Sequence, residues 1–505
     1  MTLLKKLFAA SLALILAAAL LAACGGTDKP PAPNLNTSNG QGPGGTTENT
    51  YKFIDADGVE RWKVQVDSFD WGGRNFNVLV RGDTTGVYRD IDFTVRDADA
   101  GEPINDAAYR RNLEIEEMFN IKITVLREAN DNHLAKVRSS VQAGDGAYDI
   151  TLNNMRHNGT LSREGLLCNL MDFPNIDLSE PWWDQNMIAS TSVAGKIYAA
   201  AGDVSLSYRN CIIPILFNKQ IITNLGLESP YKLVENNEWT FSKLAEMCKD
   251  VWDNLNEEGT PNPNSTIGLC GYTASLSFSL LGAEVILMGK DANDIPELTF
   301  YSERTVDVFD KITDFLYDRT LFYNSQAGYA GARNGRTKFL NEEVLFYWFE
   351  MNTVFELRQM DTDFGIIPVP KFDGLQSRYY IPSNFTEAMI LAIPRPNNQE
   401  DIPYIGAVVS AMATLGKNYL TPAFYDVSLQ GKVTRDEESG KMLDLIYNST
   451  FYDLGRAYNI GGLANRFNDI HAGYIKNITS EYQSREAMMQ SDLEKFIEDY
   501  LALDD

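Results

Sequence analysis

The aromatic and carboxylate runs of this 505-residue chain are where its types and spacing could do chemistry. Phe346-Tyr347-Trp348-Phe349-Glu350 sets four rings beside an acid, with Asn352 two residues on, and Pro181-Trp182-Trp183-Asp184 does the same on a smaller scale. Flat rings suit the apolar C–H faces of a polyhydroxylated ligand, and carboxylate, amide or guanidinium groups suit its hydroxyl rim. Dense aromatics are also what a core requires, so each run has a bland reading. Trp182-Trp183, followed by a β-run, reads as scaffold. Trp348, where a β-run gives way to a loop, is open to either.

Signatures of group transfer are missing. The four Gly-Lys pairs at 195, 289, 431 and 440 lack the Ser or Thr of a phosphate-binding loop. Neither HExxH nor GxSxG occurs. His133, His157 and His471 are scattered and no CxxC exists, so zinc spacing is absent and no metal or cofactor is expected. Abundant carboxylates leave a glycosidase pair open, because such pairs are set by separation in space. Cys168, Cys211, Cys248 and Cys270 suggest no disulfide pairing and favour buried thiols.

The formal charge is −25, and cleavage before Cys24 removes Lys5 and Lys6 and no acid, giving −27 (−25 minus 2). Basic patches for nucleic acid are lacking. Lys5 and Lys6, an apolar run Leu7 to Leu21 and small residues before Cys24 make a secretory leader too short to span a bilayer. Leu21-Ala22-Ala23-Cys24 resembles a bacterial lipobox, which implies acyl chains on Cys24 and an extracytoplasmic protein held on the cell membrane. Ordinary cleavage, with Cys24 a bystander, is the alternative. The Pro-, Gly- and Asn-rich stretch that follows predicts a flexible linker, placed over 24–72.

The elements that must position these groups follow from periodicity. Asn75–Arg81 alternates as a strand, Ala108, Ile115 and Phe119 share a helical face, Ile121–Val125 is a second strand, Leu134–Ala143 a second helix and Tyr148–Leu152 a third strand. This alternation implies a mostly parallel sheet covered by helices. Ligands of such sheets gather beyond the strand ends, which makes the Asn153–His157 loop a candidate. Helices are expected over 241–255, 302–317, 333–340 and 480–501, and β-runs over 344–349, 364–370 and 388–393.

The ordered segments Gly101–Asp106, Pro174–Asp184, Gly195–Asp203, Ile215–Lys219, Glu238-Trp239-Thr240, Phe364–Lys371 and Thr434–Ser439 resemble bacterial extracellular solute-binding proteins of the carbohydrate ABC-importer type, the group that includes maltose-binding protein. The resemblance implies an α/β, type II periplasmic-binding-protein-like fold: two hinge-linked lobes, residues 73–207 plus 384–416 and 208–383 plus 417–505, with a ligand cleft between. It implies crossings near 202–213, 381–388 and 414–422. It implies a monomeric, non-enzymatic receptor that passes a carbohydrate to ABC permease transmembrane subunits. Candidate ligand contacts carried over are Asn154, Arg156, Tyr208, Arg209, Trp348, Glu350, Asn384 and Tyr458. An extracellular glycan-active enzyme or adhesin, or a receptor for a peptide or another solute, stays open.

Overall fold

A computed structural model describes residues 51–82, 90–96, 99–249, 251, 265–326, 334–357, 360–429 and 437–503. Cys24 and the lipobox lie outside them. Two sheets organise the chain. In the first, β3 (Arg74–Arg81) pairs in parallel with both β4 (Ile121–Glu128) and β5 (Ile150–Asn153). The parallel trio is the one the alternation predicts, with helices Pro103–Phe119 and Asn130–Ala143 as its connections. Ala108, Ile115 and Phe119 all face the core. Helix Pro103–Phe119 stops because Asn120 adopts the left-handed conformation that amide side chains tolerate.

The second sheet carries β6 (Ile215–Asn218), β7 (Ile267–Gly271), β10 (Phe322–Asn324), β11 (Val344–Trp348) and β12 (Phe364–Ile367) in the order β10-β7-β11-β6-β12. It is mixed: β10, β7 and β11 run parallel, and β6 is antiparallel to β11 and β12. The late strand β13 (Ile390–Ala392) returns to the first sheet and closes it antiparallel against β5. Two apolar clusters pack the molecule: one holds Phe76, Val78 and Leu391 of the first sheet, and the other joins Leu269, Phe346 and Ile366 of the second sheet to Leu79, Ile390 and Ala392 of the first.

Two crossing segments join the lobes and lie side by side. Ile212 bridges antiparallel to Ser383, the Ile213 N–H donates to the Pro382 carbonyl at 2.9 Å, and the Asn384 N–H to the Cys211 carbonyl at 2.9 Å. A third passage runs through helix Asp401–Leu415, a wide helical turn at Gly416–Leu420 and helix Thr421–Leu429.

Two expectations are corrected, and one element is new. The linker expected through residue 72 is ordered from Tyr51: β1 (Lys52–Ile54) and β2 (Glu60–Trp62) form a hairpin. Trp62 sets its ring edge-on to Trp182 at 6.1 Å, and its backbone exchanges two 2.8 Å hydrogen bonds with the Asn418 amide. Two tryptophans and two valines between Trp62 and Trp71 supply apolar area that the composition of the preceding stretch conceals. The expected single C-terminal helix is two, Ile478–Gln483 and Glu486–Leu501. The hairpin of β8 (Met288–Lys290) and β9 (Pro296–Leu298) has no counterpart in the sequence reading.

The described cysteines are free, and Cys211, Cys248 and Cys270 are buried. Trp182 and Trp183 are core scaffold, Trp183 lying against Gly202, where a Cβ would stand 2.5 Å from its ring.

Under the first sheet, the Asp149 carboxylate accepts the Asn77 N–H at 2.7 Å, yet burial pushes its pKa up to about 6 against that bond and Arg74. A carboxyl raised in the folded state holds its proton there more tightly than in the unfolded chain. Its contribution is therefore most favourable below about pH 4 and is lost as pH rises through about 6. In urea titrations between pH 4.5 and 7, the stability of Asp149→Asn relative to the parent is expected to improve by about 1–2 kcal/mol as pH rises. A difference independent of pH would refute it.

Candidate functional site

The second crossing segment, from Pro382 to Thr386, forms the floor of a cavity of about 250 Å³ walled by both lobes. One wall is helix Met155–Arg163, which begins directly beyond β5. The expected ligand loop at Asn153–His157 is thus the helix's first turn: Asn154 is the N-cap, its side chain accepting the His157 N–H at 2.9 Å. That cap projects Arg156 into the cavity. Its Nη2 donates across the gap to Asn465 Oδ1 at 2.7 Å, on helix Leu463–Ala472 of the other lobe.

The opposite wall follows the same rule in the second sheet. β7 ends at Gly271, and Tyr272, Thr273 and Ala274 then lead into the buried helix Ser275–Gly282. The turn is pinned by Ser275 Oγ, which accepts the Tyr272 N–H at 3.1 Å, and by Gln326 Oε1, which accepts the Thr273 N–H at 3.2 Å. Tyr272 packs against Phe278 and Phe349, with ring centroids 5.7 and 5.0 Å away. Asn384 enters from the floor. Its Nδ2 donates to Glu350 Oε1 at 2.7 Å, and its Oδ1 accepts from the Thr386 hydroxyl at 2.7 Å. The Tyr272 hydroxyl reaches the same Glu350 oxygen at 3.5 Å. Glu350 is buried behind the cavity and orients two of its lining side chains.

The sequence candidates therefore divide. Arg156 and Asn384 line the cavity, Asn154 and Glu350 hold them, and the remaining four lie elsewhere. Trp348 is 0% exposed, because β11 is flanked by β7 and β6, and does not line the cavity. Tyr208 and Arg209 are buried at the first crossing, where Arg209 donates to Asp203 at 2.9 Å and lies over the Tyr208 and Tyr447 rings. Tyr458 packs against Gly159, Phe496 and Tyr500. The aromatic faces sought at Trp348 are supplied instead by Tyr272, Phe278 and Phe385.

Sequence reasoning missed Tyr272 through Phe278, Gln326, Asn465 and Asn468. The signal for the first was present: a β-run ending in Gly271 before a helix is the same strand-end pattern that singled out Asn153–His157. The arrangement offers amides at Gln326, Asn384, Asn465 and Asn468, three aromatic rings and a guanidinium. Among the described residues no group of three or more His, Cys, Asp or Glu could hold a metal ion.

No family model matches the chain, and no curated protein matches it. Solved structures do. UgpB from Mycobacterium tuberculosis in complex with glycerophosphocholine superposes with a TM-score of 0.54 at 14% identity, over 84% of this chain and 99% of that one. A cyclo/maltodextrin-binding protein complexed with maltotetraose gives 0.53 at 13% identity, over 86% and 100%. The ABC substrate-binding protein Lmo0181 from Listeria monocytogenes, in complex with cycloalternan, gives 0.51 at 12%, over 84% and 98%. The resemblance read from the sequence is thus matched at the level of fold, and the chain has the two-lobed α/β fold of the ABC substrate-binding and maltodextrin-binding proteins.

Proposed function

We propose that this chain is an extracytoplasmic solute-binding receptor of an ABC importer, which traps a sugar or oligosaccharide between its lobes and delivers it unchanged to membrane permease subunits. The observation that carries the reading is the interlobe cavity, closed on one side by the Arg156–Asn465 hydrogen bond. A ligand that touches both walls binds the closed form better and shifts the population toward it. Aromatic faces beside amides suit a saccharide, and the fold is shared with proteins solved with maltotetraose and cycloalternan. Arg156 and Asn384 are its polar contacts. Asn154 and Glu350 orient them, and Tyr208, Arg209 and Tyr458 belong to the moving hinge and lobe interface.

On this reading residues 73–207 plus 384–416 and 208–383 plus 417–505 move as the two bodies. The receptor acts as a monomer without a cofactor. Acyl chains on Cys24 would keep it at high effective concentration beside the permease. A second reading, a receptor of the same kind for another small solute, is favoured by the shared fold of UgpB, solved with glycerophosphocholine.

The test is a thermal-unfolding screen of saccharides and other solutes against the mature chain, followed by solution scattering. A true ligand at a hundred times its dissociation constant is expected to stabilise by about 2.7 kcal/mol and to compact the molecule. Chromatography should return the ligand intact. Turnover of the ligand, or stabilisation without compaction, would sink the receptor mechanism.

A further inference from the structure

The cavity carries a positive charge that no acid among the described residues balances. Arg156 and Arg456 are the cations on its walls, and no Asp or Glu lines it. Arg456 is compensated: its guanidinium is paired with the buried carboxylate of Asp453 and also donates to the Val285 carbonyl at 3.1 Å. Arg156 is not. Among the described residues its guanidinium makes no ion pair and one hydrogen bond, to the neutral amide of Asn465, and its Nε is buried without a partner. Burial alone acts on its guanidinium, holding the pKa below the usual range with no acid to offset it. Glu350, behind the cavity, is turned to Asn384 and Tyr272. The remainder of the molecule is strongly acidic, at −25 overall, which makes a half-buried, uncompensated cation in the cleft stand apart.

Desolvating an uncompensated charge is costly, and a hydroxyl returns only part of what water gave it. A carboxylate returns the charge and can engage the planar guanidinium through two parallel hydrogen bonds. We infer that the solute is an acidic saccharide, one bearing a uronate-type carboxylate that docks on Arg156 while the Asn384, Asn465, Asn468 and Gln326 amides hold its hydroxyls. The inference rests on the saccharide-receptor reading above and deepens it. One unpaired cation matches the single charge of a carboxylate. A phosphate dianion would call for a second, and Arg456 is already neutralised by Asp453.

Calorimetry on the full mature chain should compare uronate disaccharides (digalacturonate, cellobiouronate) with their neutral counterparts (galactobiose, cellobiose) and with inorganic phosphate. A uronate saccharide is expected to bind at least tenfold tighter than its neutral partner. Arg156→Gln should cost that saccharide about tenfold to a hundredfold, and Arg156→Lys should retain part of the affinity. Unliganded unfolding midpoints of both variants verify folding. Neutral saccharides bound equally by the parent and Arg156→Gln would overturn the acidic-ligand inference and leave the saccharide receptor standing. Binding of phosphate alone, or failure of every saccharide, would overturn both.

Discussion

Replacing Gly159 with valine is expected to hold the lobes apart and weaken solute binding by about a hundredfold. Gly159 sits in helix Met155–Arg163, three residues beyond Arg156, and faces Tyr458 on the other lobe. A Cβ there would lie 2.1 Å from Tyr458 Cδ1 and 2.5 Å from Cε1. Carbon atoms settle at roughly 3.5–4 Å, so relief takes a shift of more than an ångström. Phe496 at 5.2 Å and Tyr500 at 6.5 Å between centroids limit how far the Tyr458 ring can retreat. Overpacking of this kind costs about 1–3 kcal/mol. Because the clash is between lobes, opening relieves it, so the penalty falls on the closed state alone. Each 1.4 kcal/mol of differential stability is tenfold in a binding constant. Scattering should show a liganded Gly159→Val chain more expanded than the parent at matched ligand concentration. Tyr458→Ala in the same chain should restore much of the affinity by vacating the space. Unchanged affinity in Gly159→Val would show that the contact does not govern closure.

That contact also marks how far the sequence could be read. Helix Met155–Arg163 was hidden because Asn153-Asn154-Met155-Arg156-His157 looks like a polar loop, and only the Asn154 side chain bonded to the His157 N–H makes it a helix start. Longer elements were plain. Val306, Phe309, Ile312, Phe315 and Leu316 predict a helix over 302–317, and the structure has it at Glu303–Tyr317, with Ser302 as the cap that accepts the Thr305 N–H. The alternation in Asn75–Arg81 and Ile121–Val125 gave the parallel pair because each strand repeats its pattern over several residues. Three-residue strands such as β1, β2, β8 and β9 leave no such period, so both small hairpins escaped notice.

Side-chain roles were less legible than elements, for a reason visible at Trp348 and Tyr272. Both follow or end β-runs in the second sheet, and both are aromatic. Which one reaches the cavity depends on the sheet order β10-β7-β11-β6-β12, which puts Trp348 between neighbours and lets the chain beyond β7 run into the cleft. Strand order is a long-range property that local spacing does not encode. The acid Glu350, a candidate ligand contact by sequence, is buried behind the cavity, where it accepts from Asn384 and the Tyr272 hydroxyl. Likewise Asn465 and Asn468, a single helical face three residues apart, acquire meaning only because the C-terminal lobe folds back over Arg156.

Removing the Asp453 carboxylate is expected to cost the unliganded protein about 3–5 kcal/mol, the usual penalty for stripping the partner from a buried ion. Asp453 is 0% exposed and does three jobs at once. One oxygen caps helix Leu454–Ala457 by accepting the Gly455 N–H at 2.9 Å, the other accepts the Leu287 N–H at 2.7 Å, and the group neutralises Arg456. Arg456 in turn donates to Ser277 Oγ at 3.3 Å on helix Ser275–Gly282, the wall that carries Phe278. Asp453→Leu therefore leaves a guanidinium buried among the Ser277, Val285 and Phe467 contacts with no counter-charge, and loosens the cavity wall that it braces. Urea unfolding of the unliganded chain should show the midpoint fall sharply. The double variant Asp453→Leu, Arg456→Met removes both charges and should recover most of the loss, since the cost lies in the orphaned cation more than in the missing pair. If the double variant is no more stable than Asp453→Leu alone, the carboxylate acts through its two backbone N–H bonds, and the ion pair contributes little to holding this wall.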